Sequence, residues 1–200
     1  MNKKICILTL LIIFHDQCLI KAQSLFSELN CTIKNRFYSN EFLYSSIQEG
    51  TNELKKYESN INTYLFPIEK VSEVSKIKWR LIKSVHKSDT YYIKNVKYDQ
   101  YLCVDNLLKN MFGIKLIVKT VDYNEHMVSK IKNCHWDVKK VDFNKNDFFI
   151  LAKNYDQLLT ASSAFIGEKS MLKRNLFFWP KSLQLMKKSL MDQQWNFHCY

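Results

Sequence analysis

A threefold internal repeat constrains this chain more than any other feature. The segment 91–102 (YYIKNVKYDQYL) recurs without a gap as 148–159 (FFILAKNYDQLL), and the segment 31–43 (CTIKNRFYSNEFL) is a third copy with one inserted residue. The isoleucine, the tyrosine and the leucine of the motif occur in all three copies. Self-similarity at a fixed period indicates that one structural unit is repeated along the chain.

Two further markers follow the same period. Trp79 and Trp136 are 57 residues apart, and Trp136 and Trp195 are 59 residues apart. Pro67 and Pro180, the only prolines, end similar aromatic segments in the first and third copies. The sequence therefore predicts three related units, which we place at about 23–80, 81–137 and 138–200.

Each unit is predicted to contain four β-strands. Aromatic and β-branched residues alternate with polar ones, which is typical of strands, and Asn or Asp at the tight turns takes the place of scarce glycine. An open solenoid of three units would need polar caps and usually has shorter repeats. A closed β-trefoil removes the sheet edges, so we predict an all-β trefoil of about twelve strands, a barrel capped by hairpins. Its threefold core layers would be Ile33, Ile93 and Ile150; Leu43, Leu102 and Leu159; and Trp79, Trp136 and Trp195. The stretch 45–56 does not fit the repeat, and we expect a loop there that can include a helical turn or two.

The N-terminal residues 1–22 have the three parts of a secretory signal peptide. Lys3 and Lys4 precede the apolar run 5–14, and Ala22 stands at a plausible cleavage point. The apolar run is too short to span a membrane. We expect a secreted mature chain, 23–200, that forms one domain, with a net charge lowered from +11 to +9.

Four cysteines remain in the predicted mature chain, and they allow three disulfide pairings. Zinc binding is disfavoured because these cysteines do not show C-x-x-C spacing. Trefoil closure places the first strand beside the last, so we expect a Cys31–Cys199 bridge. A Cys103–Cys134 bridge within the second unit would complete the set. Asn30 begins the only N-x-S/T sequon, which secretion makes available for N-glycosylation.

No catalytic motif occurs in the sequence. Hydrolase, zinc-protease and nucleotide-binding signatures are absent, and three glycines can hardly build a phosphate-binding loop. Adjacent Cys134 and His135 would point to opposite faces of a strand. We therefore expect a binding protein without catalysis and without a metal or cofactor.

Several clusters of basic residues lie in the second half of the chain. A strongly basic surface attracts polyanions, and sulfated glycosaminoglycan is the extracellular polyanion that we expect as a partner. The secretory route disfavours nucleic acid as a ligand. The candidate basic face comprises Lys139, Lys140, Lys173, Arg174, Lys181, Lys187 and Lys188.

Several motifs resemble the ricin-B-type β-trefoil lectins, whose units carry a Cys-Leu-Asp segment and end in Gln-x-Trp. The matching segments are LCVD at 102–105 and QQW at 193–195, although units one and two have Ile77 and Cys134 at the glutamine position. The Tyr-x-Ile-Lys-Asn motif followed by YDQYL is similar to secreted insect trefoil proteins, including cysteine- and tryptophan-rich salivary proteins of mosquitoes. The resemblance implies sugar binding, with Asp105 as the nearest match to the lectin aspartate that binds sugar hydroxyls.

The sequence supplies two further candidates for sugar contacts. Trp179 lies outside the threefold tryptophan set and precedes Pro180. In an exposed loop its ring could stack on a sugar; the alternative is a core or barrel-cap residue, because Phe66 occupies the equivalent site in the first unit. Asn106 would add a polar group beside Asp105. Taken together, we predict a secreted monomeric protein that binds carbohydrate, sulfated glycosaminoglycan or a host glycoprotein. The alternatives are a Kunitz-type trefoil protease inhibitor and a growth-factor-like heparin-binding ligand.

Overall fold

A computed structural model describes residues 30–46, 63–85, 87, 90–110, 113–141, 146–165, 172–180 and 191–200. The predicted signal peptide 1–22, most of the loop expected at 45–56, and Lys181, Lys187 and Lys188 lie outside these residues. Within the described ranges, no helix has both the length and the apolar composition that a membrane span requires.

Each of the three units contributes four strands to the described structure. The first unit contains β1 (Asn30–Asn35), β2 (Glu41–Ser45), β3 (Thr63–Pro67) and β4 (Lys78–Lys83). The second contains β5 (Tyr91–Asn95), β6 (Tyr101–Asn110), β7 (Gly113–Val121) and β8 (Trp136–Lys140). The third contains β9 (Asp147–Ala152), β10 (Gln157–Phe165), β11 (Arg174–Pro180) and β12 (Gln194–Cys199).

The first and last strands of every unit form a closed ring of antiparallel pairs. Strand β1 pairs with β12, followed by β9, β8, β5 and β4, and β4 pairs again with β1. The middle strands form the hairpins β2–β3, β6–β7 and β10–β11, and β3 also pairs with β11. This arrangement confirms the predicted all-β trefoil, a six-stranded barrel with three hairpins as its cap.

The predicted core layers lie at the centre of this barrel. All nine of their side chains are fully buried, and they belong to one hydrophobic cluster. Each buried tryptophan also donates its indole N–H to a leucine carbonyl oxygen of its own unit. These bonds are 2.8 Å for Trp79 to Leu43, 2.8 Å for Trp136 to Leu102 and 2.9 Å for Trp195 to Leu159. The sequence repeat is therefore a repeat of both packing and hydrogen bonding.

Replacing Trp195 by phenylalanine is expected to lower the free energy of unfolding by about 1–3 kcal/mol. The smaller ring leaves the Leu159 carbonyl oxygen buried without its donor. Urea unfolding followed by circular dichroism measures the change, and Trp179→Phe is the matched control because Trp179 is only partly buried. Equal losses in the two variants would contradict a special role for the indole hydrogen bond.

The tight turns use the residues that the repeat predicts. Asp99 and Asp156 have left-handed backbone angles, with φ of 56° and 50°, which Asp and Asn tolerate better than most residues. In the second unit the Asn95 side chain accepts hydrogen bonds from the N–H groups of Lys97 and Tyr98 at 3.0 and 3.2 Å. The equivalent residue of the third unit is Ala152, which cannot make these bonds, so local chemistry departs from threefold symmetry there.

One short helix interrupts the β-structure of the second unit. Helix α1 (Glu125–Lys130) is capped at its N-terminus by Asn124, whose side chain accepts a hydrogen bond from the Met127 N–H at 2.8 Å. Val128 of α1 is buried in a second apolar cluster on the outside of the barrel, together with Tyr92, Tyr101 and the Cys103–Cys134 disulfide. The strand repeat did not indicate this helix, because Asn124 and Val128 stand outside the repeated motif. Further 3-10 turns are Ile68–Lys70, Val74–Ile77, Lys132–Cys134 and Met191–Gln193.

Two disulfides join cysteines of the described residues. Cys31 and Cys199 are directly opposite each other on β1 and β12, and they are bonded. Cys103 of β6 is bonded to Cys134, which precedes β8. The first bridge thus joins the two strands at which the barrel closes, and the second holds the outer cluster of the second unit.

Candidate functional site

The residues predicted to bind sugar lie on two different hairpins. Asp105 is in β6, where its carboxylate forms an ion pair with Lys119 of β7. The side chain of Asn106 lies outside the described residues. Trp179 lies in strand β11 and not in a loop, and its half-buried ring makes an edge contact with Phe177 at 6.2 Å between centroids. The loop position expected for Trp179 was wrong because the strand extends to Pro180.

The described members of the predicted basic face differ in their surroundings. Lys139 and Lys140 are exposed at the end of β8, and Lys139 forms an ion pair with Asp137 at 3.1 Å. The Lys173 ammonium lies 5.3 Å from the centre of the Tyr64 ring. The prediction was wrong for Arg174. Its side chain is buried against the Glu41 carboxylate and does not contribute to an exposed basic face.

A cleft lies where the first and third units meet. It has a volume of about 510 Å³. Its walls are the turn after β1, the β10–β11 hairpin and the 3-10 turn before β12. The lining residues include three aromatic rings, two serines and a carboxylate, namely Phe37, Tyr38, Phe177, Ser162, Ser163 and Asp192. We call these six residues the aromatic cleft.

Phe37 is the most unusual residue of the aromatic cleft. Its side chain is 57% exposed, although an apolar ring is usually buried. The Tyr38 ring meets it edge to face, with 4.8 Å between the centroids. An exposed ring held by a second ring beside polar groups is an arrangement that ligand sites use for stacking and orientation.

The buried side chain of Asn35 connects two walls of the aromatic cleft through hydrogen bonds. Its fully buried side-chain oxygen accepts hydrogen bonds from the N–H groups of Phe37 at 3.0 Å and Tyr38 at 3.2 Å. Its side-chain nitrogen donates to the Asp192 carbonyl oxygen at 2.8 Å. One buried amide thus fixes the aromatic turn against the turn that carries the carboxylate.

Arg174 fixes the third wall. Its guanidinium binds the Glu41 carboxylate through two hydrogen bonds of 2.6 and 2.7 Å, and it donates to the carbonyl oxygens of Ser162 and Ser163 at 3.3 and 3.2 Å. The guanidinium carbon lies 3.7 Å from the centre of the Tyr38 ring. Hydrogen bonding to Glu41 raises the pKa of Arg174 above its ordinary value, so the group stays charged and acts as a fixed support for the cleft.

One residue of the aromatic cleft could have been identified from the sequence, because it differs from its equivalents in the other two units. Phe37 occupies the turn position where the other two units have Lys97 and Asn154. A large apolar residue at a turn that is polar in the sister units is not needed for the common fold. Comparison of the copies could therefore have identified Phe37, whereas Asp192 and the serines give no such signal.

A second, smaller pocket lies on the second unit between β5, β6 and α1. Its volume is about 310 Å³, and it is lined by the rings of Tyr92 and Tyr101, with Glu125 and His126 among its polar groups. Both rings are almost fully buried in the outer apolar cluster. Because these rings pack in the apolar cluster, little of their surface is open to a ligand, and this pocket is the weaker candidate for a binding site.

His135 has a structural environment. Its ring nitrogen Nε2 lies 3.1 Å from the Val128 carbonyl oxygen, and since a carbonyl can only accept, Nε2 carries the proton. The neighbouring Cys134 is oxidised in a disulfide. Among the residues that the structure describes, no group of three His, Cys, Asp or Glu side chains is placed to hold a metal ion.

Stability is expected to fall below about pH 6.5 in a way that depends on His135. Burial lowers the pKa of His135 in the folded chain, with the positive charges of Lys87 and Lys153 acting in the same direction. The unfolded chain then binds more protons than the folded chain as the pH drops through the unfolded pKa, so stability is full above that pH and is lost below it.

Thermal unfolding of His135→Gln between pH 7.5 and 5 tests this dependence. The variant is expected to lose less of its melting temperature than the natural chain over that interval. His126→Gln is the control, because His126 is exposed. A wild-type pH profile in His135→Gln would show that other groups cause the acid sensitivity.

We compared the chain with protein families, curated sequences and solved structures. No protein-family profile matches the chain, and no curated protein sequence matches it significantly. Among solved structures, the designed threefold symmetric protein ThreeFoil superposes with a TM-score of 0.55 at 14% identity, over 84% of this chain and 96% of that one. The chain has the β-trefoil fold.

Two natural trefoil proteins illustrate the likeness. A ricin B-like lectin from Macrolepiota procera, solved in complex with lactose, has a TM-score of 0.51 at 11% identity, over 84% of this chain and 93% of the lectin. A Culex salivary protein of the Cysteine and Tryptophan-Rich (CWRC) family has a TM-score of 0.52 at 13% identity, over 84% and 92%. At these identities the likeness concerns the fold. The resemblance to ricin-B-type trefoils drawn from the short motifs is confirmed at that level.

Proposed function

We propose that this β-trefoil is a secreted, non-enzymatic protein that binds carbohydrate in the aromatic cleft. The observation that carries the proposal is the exposed Phe37 ring, which is held beside Tyr38, Phe177 and a carboxylate in a cleft of about 510 Å³. Sugars present apolar C–H faces to such rings, and a few fixed polar groups orient the hydroxyls. Lectins are among the trefoils of similar structure, one of them with lactose bound, which supports this ligand class.

The polar groups of the cleft suit a neutral sugar. Serine hydroxyls can donate and accept, whereas a carboxylate only accepts hydrogen bonds from sugar hydroxyls. Ser162, Ser163 and Asp192 supply both kinds of group. The Arg174 guanidinium is already engaged by Glu41 and two backbone carbonyl oxygens, so it supports the site and does not select an anionic ligand.

A glycan array probed with the disulfide-intact protein at physiological salt tests the proposal. Binding to neutral sugars is expected, and Phe37→Ala is expected to weaken it up to about 10-fold, as for the loss of one aromatic contact. Asp105→Ala and Trp179→Ala are the matched comparison, since they alter the residues that the sequence suggested. If these two variants lose binding and Phe37→Ala does not, the sugar site lies elsewhere. No binding to any sugar would redirect attention to protein targets, with proteases first.

Secretion is part of the same proposal. The charged start, the apolar run and Ala22 support cleavage after residue 22, and two disulfides suit an oxidising compartment. Asn30 begins β1 and is partly buried, and we propose that it is the glycan acceptor of the secreted chain. Intact mass of the protein secreted by insect cells, before and after glycosidase treatment, measures both the cleavage point and the occupancy of Asn30.

A further inference from the structure

One wall of the barrel carries a group of basic side chains. The residues of β12, β1, β4 and β5 alternate between the core and the outside, and Ile33, Trp79, Ile93 and Trp195 are among those that face inward. The intervening residues therefore face outward. Their basic members are Lys34, Lys78, Arg80, Lys94 and His198, which we call the basic wall.

Strand register brings these residues together from distant parts of the sequence. Thr32 of β1 lies between Lys78 of β4 and His198 of β12 in one row across three strands. Arg80 and Lys94 are directly opposite each other in the neighbouring row. Adjacent strands are about 4.8 Å apart, and outward residues on one strand repeat roughly every 7 Å, so the charges form a compact array.

Little negative charge opposes the basic wall. None of the outward residues of these four strands is Asp or Glu. Lys94 forms an ion pair with Asp99 at 2.7 Å, but within the described part of the chain no carboxylate is within ion-pair distance of Lys34, Lys78 or Arg80. The buried Nε of Arg80 also finds no hydrogen-bond acceptor among the described residues. Among the described residues, these three cations therefore have no carboxylate partner.

We propose that the basic wall binds a linear sulfated polysaccharide, at a surface separate from the aromatic cleft. A chain with regularly repeated negative charges can contact several of these cations at once and release its counterions. Proteins that bind single-stranded nucleic acid stack the bases on exposed aromatic side chains. Of the two rings that lie 5.0 Å from lysine ammonium groups of this wall, Tyr101 beside Lys94 is buried, and Tyr200 beside Lys78 is exposed. The two disulfides suit an extracellular compartment, where sulfated polysaccharide is the common linear polyanion.

The test is the affinity for a size-defined heparin oligosaccharide as a function of salt. With three contacts, each releasing about 0.7 counterion, the dissociation constant is expected to rise about 18-fold between about 50 and 200 mM salt. The variant Lys34→Gln/Lys78→Gln/Arg80→Gln is expected to bind at least about 10-fold more weakly at the lower salt and to lose most of the salt dependence.

Two variants with the same change of charge make the test specific. Lys70→Gln/Lys130→Gln/Lys132→Gln removes three exposed lysines elsewhere and is expected to bind like the natural chain. Lys139→Gln/Lys140→Gln/Lys173→Gln removes the described lysines of the face that the sequence suggested. Equal weakening in all three variants, or loss only in the last, would overturn the basic wall. The double variant Lys34→Gln/Lys78→Gln keeps the test valid if the loss of Arg80 disturbs folding.

The same experiment tests whether another polyanion binds more tightly than the oligosaccharide. Single-stranded DNA of equal charge and phosphatidylserine vesicles are expected to bind more weakly than the oligosaccharide, and tighter binding to either overturns the assigned partner. The basic-wall variant should retain neutral sugar binding, and Phe37→Ala should retain heparin binding. The failure of this inference is thus distinguishable from the failure of the proposed function.

Discussion

Removal of the Cys31–Cys199 disulfide by a double substitution to alanine is expected to lower the free energy of unfolding by about 5 kcal/mol. The bridge spans 168 residues, and the loop-closure entropy removed from the unfolded chain grows with the logarithm of that span. A loss of this size is a large part of the stability of an ordinary domain. The bonded cysteines are also opposite each other in the β1–β12 pair, so the barrel seam loses its covalent bond.

The second disulfide is the internal control for this result. Cys103 and Cys134 are 31 residues apart, and the same relation gives about 4 kcal/mol for Cys103→Ala/Cys134→Ala. Urea unfolding of both variants and of the natural chain measures the two losses on one scale. A larger loss for the shorter loop would show that packing of the outer cluster around α1 outweighs chain entropy.

Replacement of Arg174 by methionine is expected to destabilise the chain by about 3–5 kcal/mol and to abolish sugar binding in the aromatic cleft. Methionine leaves the buried Glu41 carboxylate without its partner, and breaking a buried ion pair in this way is strongly destabilising. The side chains of Arg174 and Glu41 are only 10% and 13% exposed. The cleft is affected because Arg174 holds the Ser162 and Ser163 backbone and the Tyr38 ring.

A double substitution separates the two effects. In Arg174→Met/Glu41→Leu no buried charge is left without a partner, so much of the lost stability is expected to return. Sugar binding should remain lost, because the serine wall has no support in either variant. Unfolding curves and glycan-array binding of the single and double variants measure both quantities. Full binding by the double variant would show that the cleft does not depend on the guanidinium.

The core of this protein was predictable from the sequence because its threefold pattern repeats within each unit. Ile33, Leu43 and Trp79 and their equivalents have the same neighbours in every unit, and all are buried. The left-handed turns at Asp99 and Asp156 follow from the same motif. The position of Cys31 beside Cys199 follows from closure of the barrel, which joins the first strand to the last.

The surfaces that can bind ligands were decided by the tertiary structure. The sequence suggested Asp105 and Trp179, which lie on separate hairpins, and it counted Arg174 as a surface charge. The aromatic cleft joins Phe37 to Phe177 and Asp192, and the basic wall joins Lys34 to Lys78 and Arg80. A repeat records contacts within a unit, whereas contacts between units depend on which turns and strands become neighbours when the ring closes. The sequence by itself therefore determined the barrel and its core, and only the closed barrel decided where rings, carboxylates and cations meet.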